Sequence, residues 1–368
     1  MPFVKISTPT GAVELHYSIS TPTSASTSSI DSNLPCILFL HGEYFAQEVF
    51  EAQFSDPVLR HDFNLIAVDM RTCGFSKGAV ERGVYTPATA ADDLYRFFKA
   101  LDLPAMHIFG LSIGCYVALE FAHAHPELSL SLTLCSHLPP DEPEEIAAGR
   151  LQVYDYWEES FSHDGSAPRS SSFNVDQSML DELTHGAQQL MFNNQINRLT
   201  EATTRNAVTL DVGNWAGSPE KLTISHIMCI EWLLKRRAFD IASLAKQIRC
   251  PTVLIHCKDD IGYTLKDAED FAALMRTAGN SEVTVHQVTG PHFGNVTNPK
   301  AVNQILRDHA LSVSTGRPPS SEGPHYSADE LKGHPIMSTP FTERLAQYGY
   351  DPNAAEEWDS DMEIMVSA

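Results

Sequence analysis

No apolar run in this 368-residue sequence approaches the roughly 20 residues that a bilayer-spanning helix needs. The first residues, Met1-Pro2-Phe3-Val4-Lys5, lack the apolar stretch of a secretory signal. The last, Met365-Val366-Ser367-Ala368, form neither a peroxisomal nor an ER-retention signal. Positive charge is scarce: 25 Lys and Arg stand against 47 Asp and Glu, a formal net charge of -22. Nucleic acids and anionic membranes are polyanions, so neither is an expected partner. The seven cysteines are odd in number and none has zinc-site spacing. Cys36, Cys135, Cys250 and Cys257 instead sit in or beside apolar runs, as small buried hydrophobes do. No metal or cofactor is expected, and a reducing, cytoplasmic location is the simplest expectation. Asn295-Val296-Thr297 matches a glycosylation acceptor, which stays silent in a chain that is not secreted.

What the sequence does contain is an alternation of short apolar strands and helices. Gly11 to Ile19 alternates and reads as a half-buried strand. Apolar runs follow at Cys36–Leu40, Leu65–Val68, Met106–Phe109 and Leu130–Cys135, with a helix predicted over Ala88–Leu101 and another after Ser112. The rhythm breaks at Pro139-Pro140-Asp141. It resumes with a strand over Pro251–His256, a helix over Leu265–Ala278, a strand over Val283–Val288 and a helix over Pro299–Leu311. Strands alternating with helices predict an α/β fold with a mostly parallel sheet covered on both faces. Residues 1–138 and 246–312 are read as one core, and residues 139–245 as a helical insertion with a polar interval at Ser162–Ser172. Residues 313–368 are rich in Ser, Pro and acids and read as a flexible tail, in which Phe341–Tyr350 has the pattern of a short helix.

Gly110-Leu111-Ser112-Ile113-Gly114 lies between a predicted strand and a predicted helix. A serine at the tip of so tight a turn needs small flanking residues, and its hydroxyl is raised beside the N–H groups of a helix start. A serine is a weak nucleophile without a base and a group that orients the base. His256-Cys257-Lys258-Asp259-Asp260 directly follows one later strand, and Gly290-Pro291-His292-Phe293-Gly294 follows the next. Either aspartate could be a solvated turn, and His292 is one of sixteen histidines. All three positions nevertheless lie at the C-terminal ends of strands, where open α/β sheets place their ligands.

These residues resemble the α/β-hydrolase superfamily, in its branch of capped esterases, lactonases, haloperoxidase-like enzymes and carbon–carbon bond hydrolases. The resemblance runs from about Val13 to Leu311. It rests also on His41-Gly42 at a strand end, and on Asp69-Met70-Arg71-Thr72-Cys73-Gly74-Phe75-Ser76, where Thr72 replaces a usual glycine. It implies that Ser112 is the nucleophile, His292 the base and Asp260, rather than Asp259, the acid that orients it. Cys257 stands where the family commonly has a glycine three residues before that acid. The implied oxyanion donors are the backbone N–H groups of Ile113 and Glu43, each of a kind worth about 3–4 kcal/mol of barrier. A serine in this place argues against epoxide hydrolase and haloalkane dehalogenase activity, which use an aspartate there.

Glu43 departs from the apolar residue usual at its position. It has two readings: a carboxylate turned to solvent or paired with an arginine, or a pocket-lining group that selects polar or cationic substrates. The insertion resembles the superfamily's cap, with Tyr154, Tyr156, Trp157, Phe192, Trp215 and Trp232 as candidate lining or cap-core residues, and Arg236 and Arg237 as candidate anion-steering groups. The resulting expectation is a serine hydrolase acting on a small-molecule carboxylic ester or lactone. Carbon–carbon cleavage, acyl transfer and a receptor-like role are the alternatives. The oligomeric state is left open.

Overall fold

The computed structural model describes residues 2–161, 175–234, 240–315 and 336–354. Arg236, Arg237 and the Ser162–Ser172 interval lie outside them. Eight strands form one sheet: β1 (Phe3–Thr8), β2 (Gly11–Ser20), β3 (Cys36–Leu40), β4 (Asn64–Val68), β5 (Met106–Leu111), β6 (Ser129–Cys135), β7 (Thr252–Cys257) and β8 (Val283–Val288), in the order β1-β2-β4-β3-β5-β6-β7-β8. β1 and β2 pair antiparallel, as do β2 and β4, and every other pairing is parallel. The central strands β3, β4 and β5 are buried at every residue, as apolar runs covered on both faces must be. Alternation then divides them between two cores. Leu38 and Leu40 of β3 enter one cluster, whereas Ile37 and Phe39 face the other with Phe50, Phe54 and Phe109.

The helices of the core begin with α1 (Glu51–Phe54) and α2 (Pro57–Asp62), between β3 and β4. After β4, α3 (Pro87–Leu101) starts on a Thr86 cap with Pro87 in its first turn, and buries Leu94, Phe97 and Phe98. α4 (Gly114–Ala124) then joins β5 to β6. The chain leaves the sheet after β6 for a run of helices: α5 (Glu144–Ser160), α6 (Gln177–Phe192), α7 (Arg198–Trp215), α8 (Pro219–His226), a π turn (Ile227–Glu231), α9 (Trp232–Leu234) and α10 (Ile241–Ala245). This helical region, inserted between β6 and β7, fits a cap. α11 (Leu265–Thr277), α12 (Gly294–Thr297) and α13 (Pro299–Thr315) complete the core.

Two findings go beyond the sequence reading. β1 was not anticipated, because this edge strand buries only Ile6 and shows no apolar alternation. Of the C-terminal segment, residues 336–354 are described, and they lie on the body. Thr342–Ala346 form α14 inside the Phe341–Tyr350 stretch, and Phe341 is buried with its ring 5.0 Å from that of Phe54. Arg60 Nη1 donates to the carbonyl of Ser338 at 2.7 Å, and Thr342 Oγ1 donates to Glu51 at 2.9 Å.

Candidate functional site

Ser112 sits between β5 and α4 with a backbone φ of 53°, in the left-handed region that residues with a side chain seldom adopt. The turn is tight on both sides. A Cβ on Gly114 would stand 2.4 Å from the Leu40 carbonyl oxygen, and one on Gly110 would stand 2.8 Å from Cys115 Cα. The glycine spacing thus reports a physical need at both positions. The N–H of Ser112 donates to the Cys135 carbonyl at 3.0 Å, which ties the turn to β6. Ile113 is the N-cap of α4, so its N–H belongs to the end of the helix that lacks intrahelical partners.

Ser112 Oγ lies 2.7 Å from His292 Nε2, and His292 Nδ1 lies 2.6 Å from Asp260 Oδ2. All three side chains are almost wholly buried. Of the two aspartates after β7, Asp260 is the one that meets His292. Its other oxygen accepts from the N–H groups of Gly262 and Tyr263 at 2.8 and 3.2 Å, which fixes the carboxylate. Asp259 serves the loop instead, accepting from the N–H of Gly290 at 3.0 Å. Burial pulls the His292 imidazole down, but Asp260 and Glu43 together hold it above its usual value against the opposing charge of Arg150.

The loop that carries His292 is held from two sides. Ser136 Oγ donates to the His292 carbonyl, and the Phe293 N–H donates to Met191 at the end of α6. Cys257, in the place of a common glycine, has room because residue 294 is a glycine: a Cβ there would stand 2.5 Å from the Cys257 sulfur. Asn295 is fully buried and donates to the Val49 carbonyl, so the glycosylation match is closed to a glycan in this fold.

His41 orients the opposite wall. Its Nε2 accepts from the Met70 N–H at 3.1 Å, so Nδ1 carries the proton and donates to the Gly42 carbonyl at 2.9 Å. In a trans peptide the carbonyl of Gly42 and the N–H of Glu43 point in opposite directions, so pinning the first aims the second. Gly42 itself packs close to the serine, and a Cβ on it would stand 3.4 Å from Ser112 Cβ and 2.6 Å from the Phe293 ring. The Asp69–Ser76 segment buttresses this wall. Asp69 pairs with His16 at 2.6 Å and accepts from the Gln47 N–H, while Arg71 is locked to Asp93. Thr72 takes the positive φ, 62°, that explains the glycine usual there.

Glu43 is buried, not turned to solvent, and its partner is an arginine of the inserted helices. Arg150 of α5 donates to Glu43 at 2.8 Å, to Glu142 at 2.7 Å and to the Tyr263 hydroxyl at 3.0 Å. Burial pushes the Glu43 carboxyl up. Arg150, His292, the Ser112 hydroxyl and its own N–H outweigh that and bring it down to about 2. Arg150 thus anchors the ionised carboxylate in the buried wall beside the serine. Neither Arg150 nor Ser136 was picked out from the sequence. Arg150 lies 107 residues from Glu43 within an ordinary polar helix pattern.

Beside this site the cap encloses an apolar cavity between α5, α6, α7 and the loop after β3. Of the aromatic candidates, Tyr154, Trp157 and Trp215 line it. Phe192 packs instead between Phe45 and Phe293, Trp232 stacks on Tyr85, and Tyr156 accepts from Gln152 near the surface. Among the described residues, no cluster of three or more His, Cys, Asp or Glu is arranged to hold a metal, and no helix is long and apolar enough to cross a membrane.

A family model described as alpha/beta hydrolase fold matches residues 35–299. Among curated proteins, RutD of Klebsiella pneumoniae, named as a carbamate hydrolase, is 25% identical over 261 residues, covering 68% of this chain and 82% of that protein. BODYGUARD 4 of Arabidopsis thaliana, named as a lysophospholipase, is 26% identical over 117 residues; the match takes in 31% of this chain and spans 27% of that protein's length. Among solved structures, the enol-lactonase of Burkholderia xenovorans superposes with a TM-score of 0.59 at 17% identity, over 84% of this chain and 100% of that one. At that identity the likeness speaks for the fold.

Proposed function

Since the chain belongs to the α/β-hydrolase family, we propose that it is a serine hydrolase that cleaves a small carboxylic ester or lactone through an acyl-enzyme on Ser112. The observation that carries this reading is the continuous hydrogen-bonded line from Ser112 Oγ through His292 to Asp260, at 2.7 and 2.6 Å. In the proposed cycle Ser112 Oγ attacks the carbonyl carbon while His292 Nε2 takes its proton. Asp260 keeps the Nδ1–H tautomer and stabilises the imidazolium. The tetrahedral oxyanion takes the N–H groups of Ile113 and Glu43, while the Glu43 carboxylate stays paired with Arg150. His292 then hands its proton to the leaving oxygen, and a water molecule repeats the sequence on the acyl-enzyme. The lactonase and the carbamate hydrolase among the similar proteins are consistent with acyl chemistry of this kind.

The test is His292→Ala, assayed on activated esters. Turnover should fall by roughly 10⁴–10⁶, the scale of losing a member of a catalytic triad. The circular dichroism spectrum should stay unchanged. Activity retained within tenfold would mean that another base does the work.

A further inference from the structure

The cap cavity holds polar groups that the proposed chemistry does not use. One face of α7 lines it at helical spacing: Thr204, Ala207, Val208, Asp211 and Trp215. Most polar atoms around the cavity are satisfied within the fold. Tyr154 donates to the Leu222 carbonyl, Trp157 Nε1 to Ser225, and Thr204 to the Thr200 carbonyl. Three are not. The Trp215 indole N–H and the Tyr44 hydroxyl are buried with no hydrogen-bond partner, and the Asp211 carboxyl, on a residue only 8% exposed, makes no hydrogen bond or ion pair. Asp211 and Trp215 stand one helical turn apart on the same face. Leaving several such groups unpaired in an apolar setting is unfavourable, and a fold retains them where a ligand completes them.

Their chemistry limits what that ligand can be. An indole N–H only donates, so the occupant must offer an acceptor, which an ammonium group lacks. No cation lines the cavity among the described residues; Arg150, beside Tyr44, has an unpartnered Nη1, but its single charge already faces two carboxylates, Glu43 and Glu142, so a third carboxylate would enter against net negative charge. Burial pushes the Asp211 carboxyl well up, toward the protonated form, in which a carboxyl can donate as well as accept. Tyr44 directly follows Glu43 in the chain, which sets this cavity next to the serine.

We propose that the cap cavity is the subsite for an uncharged, oxygen-bearing segment of the substrate, a keto or hydroxyl group on its acyl chain, held by Asp211, Trp215 and Tyr44. The inference rests on the esterase reading and names the substrate class for it.

The experiment compares p-nitrophenyl alkanoates of increasing chain length with their isosteres carrying a keto group in place of one methylene, using the full-length protein. At one or more chain lengths the keto ester should be preferred in kcat/KM by roughly tenfold or more, as expected where buried groups are left unpaired by the analogue. Asp211→Leu and Trp215→Phe should both lose that preference, the keto-to-plain kcat/KM ratio at that length falling to near one. Asp211→Leu should also melt at a higher temperature than wild type, because it removes an unpaired buried acid; a structural aspartate would give the opposite. A ratio near one at every length in wild type, or a preference that persists in both variants, overturns the proposal and leaves the esterase reading standing. Turnover of neither series by the folded protein overturns both.

Discussion

Glu43 and His292 form the charge balance around the serine. His292 must be neutral to accept the Ser112 proton, so kcat/KM rises as pH rises through its pKa. Burial alone would set that midpoint low, but Asp260 and Glu43 hold it above the ordinary imidazole value, with Arg150 opposing. Glu43→Gln removes one raising charge and leaves Arg150 less neutralised. The acid limb of the profile should therefore move to lower pH, read from kcat/KM on one ester across the range. The plateau should change by less than about tenfold, since the Glu43 N–H remains; loss of an oxyanion donor costs about 10²–10³. A limb that stays in place would separate Glu43 from His292. Ser112, His292 and Asp260 were legible in the sequence because each sits at a strand end and the serine is bracketed by glycines that nothing larger can replace. The choice of Asp260 over Asp259 came only from resemblance; in the structure Asp260 is the aspartate that contacts His292. Arg150 was not legible, because an ion pair between a loop and a distant helix leaves no local pattern.

At the scale of elements, α5 matters most to the site. It reaches from the inserted helices to the loop after β3 through Arg150, whose guanidinium is 1% exposed and serves Glu43, Glu142 and Tyr263 together. Removing one partner from a buried ion pair leaves uncompensated charge, so Arg150→Met should destabilise the protein by about 3–5 kcal/mol in urea unfolding. A cost under about 1 kcal/mol, the range of a solvated pair, would mean that the cap does not hold this loop. Elements whose apolar period was clear were legible to within a few residues: β3 and β8 as read, α3 and α11 within a residue or so. β1 was not, since an edge strand that buries one side chain carries no alternation. Of the α7 face that lines the cavity, only Trp215 was named from the sequence, as a candidate lining or cap-core residue.

Over the whole molecule, the sheet gathers strand ends and the C-terminal segment returns to pack on α1 and α7. Glu51 is where that segment docks, taking hydrogen bonds from Thr339 and Thr342. Burial pushes its carboxyl up to about 7, against the lowering effect of those two hydrogen bonds. A raised carboxyl binds its proton more tightly folded than unfolded, so stability falls as pH rises from the ordinary carboxylate range through about 7. Glu51→Gln, which mimics the protonated acid, should gain on wild type as pH rises, by on the order of 1–3 kcal/mol at pH 8 in paired melts. An equal gap at pH 5 and pH 8 would place the titration elsewhere. The composition of this segment foretold nothing of the docking, because its fully buried apolar anchors, Phe341 and Leu345, stand among polar residues. The claim on which the rest depends is that Ser112 is an activated nucleophile, and intact mass after exposure to a fluorophosphonate tests it most directly. The wild-type protein should gain one phosphonyl group and Ser112→Ala none. An unlabelled wild type that is folded, or a Ser112→Ala variant that still takes the label, would contradict it.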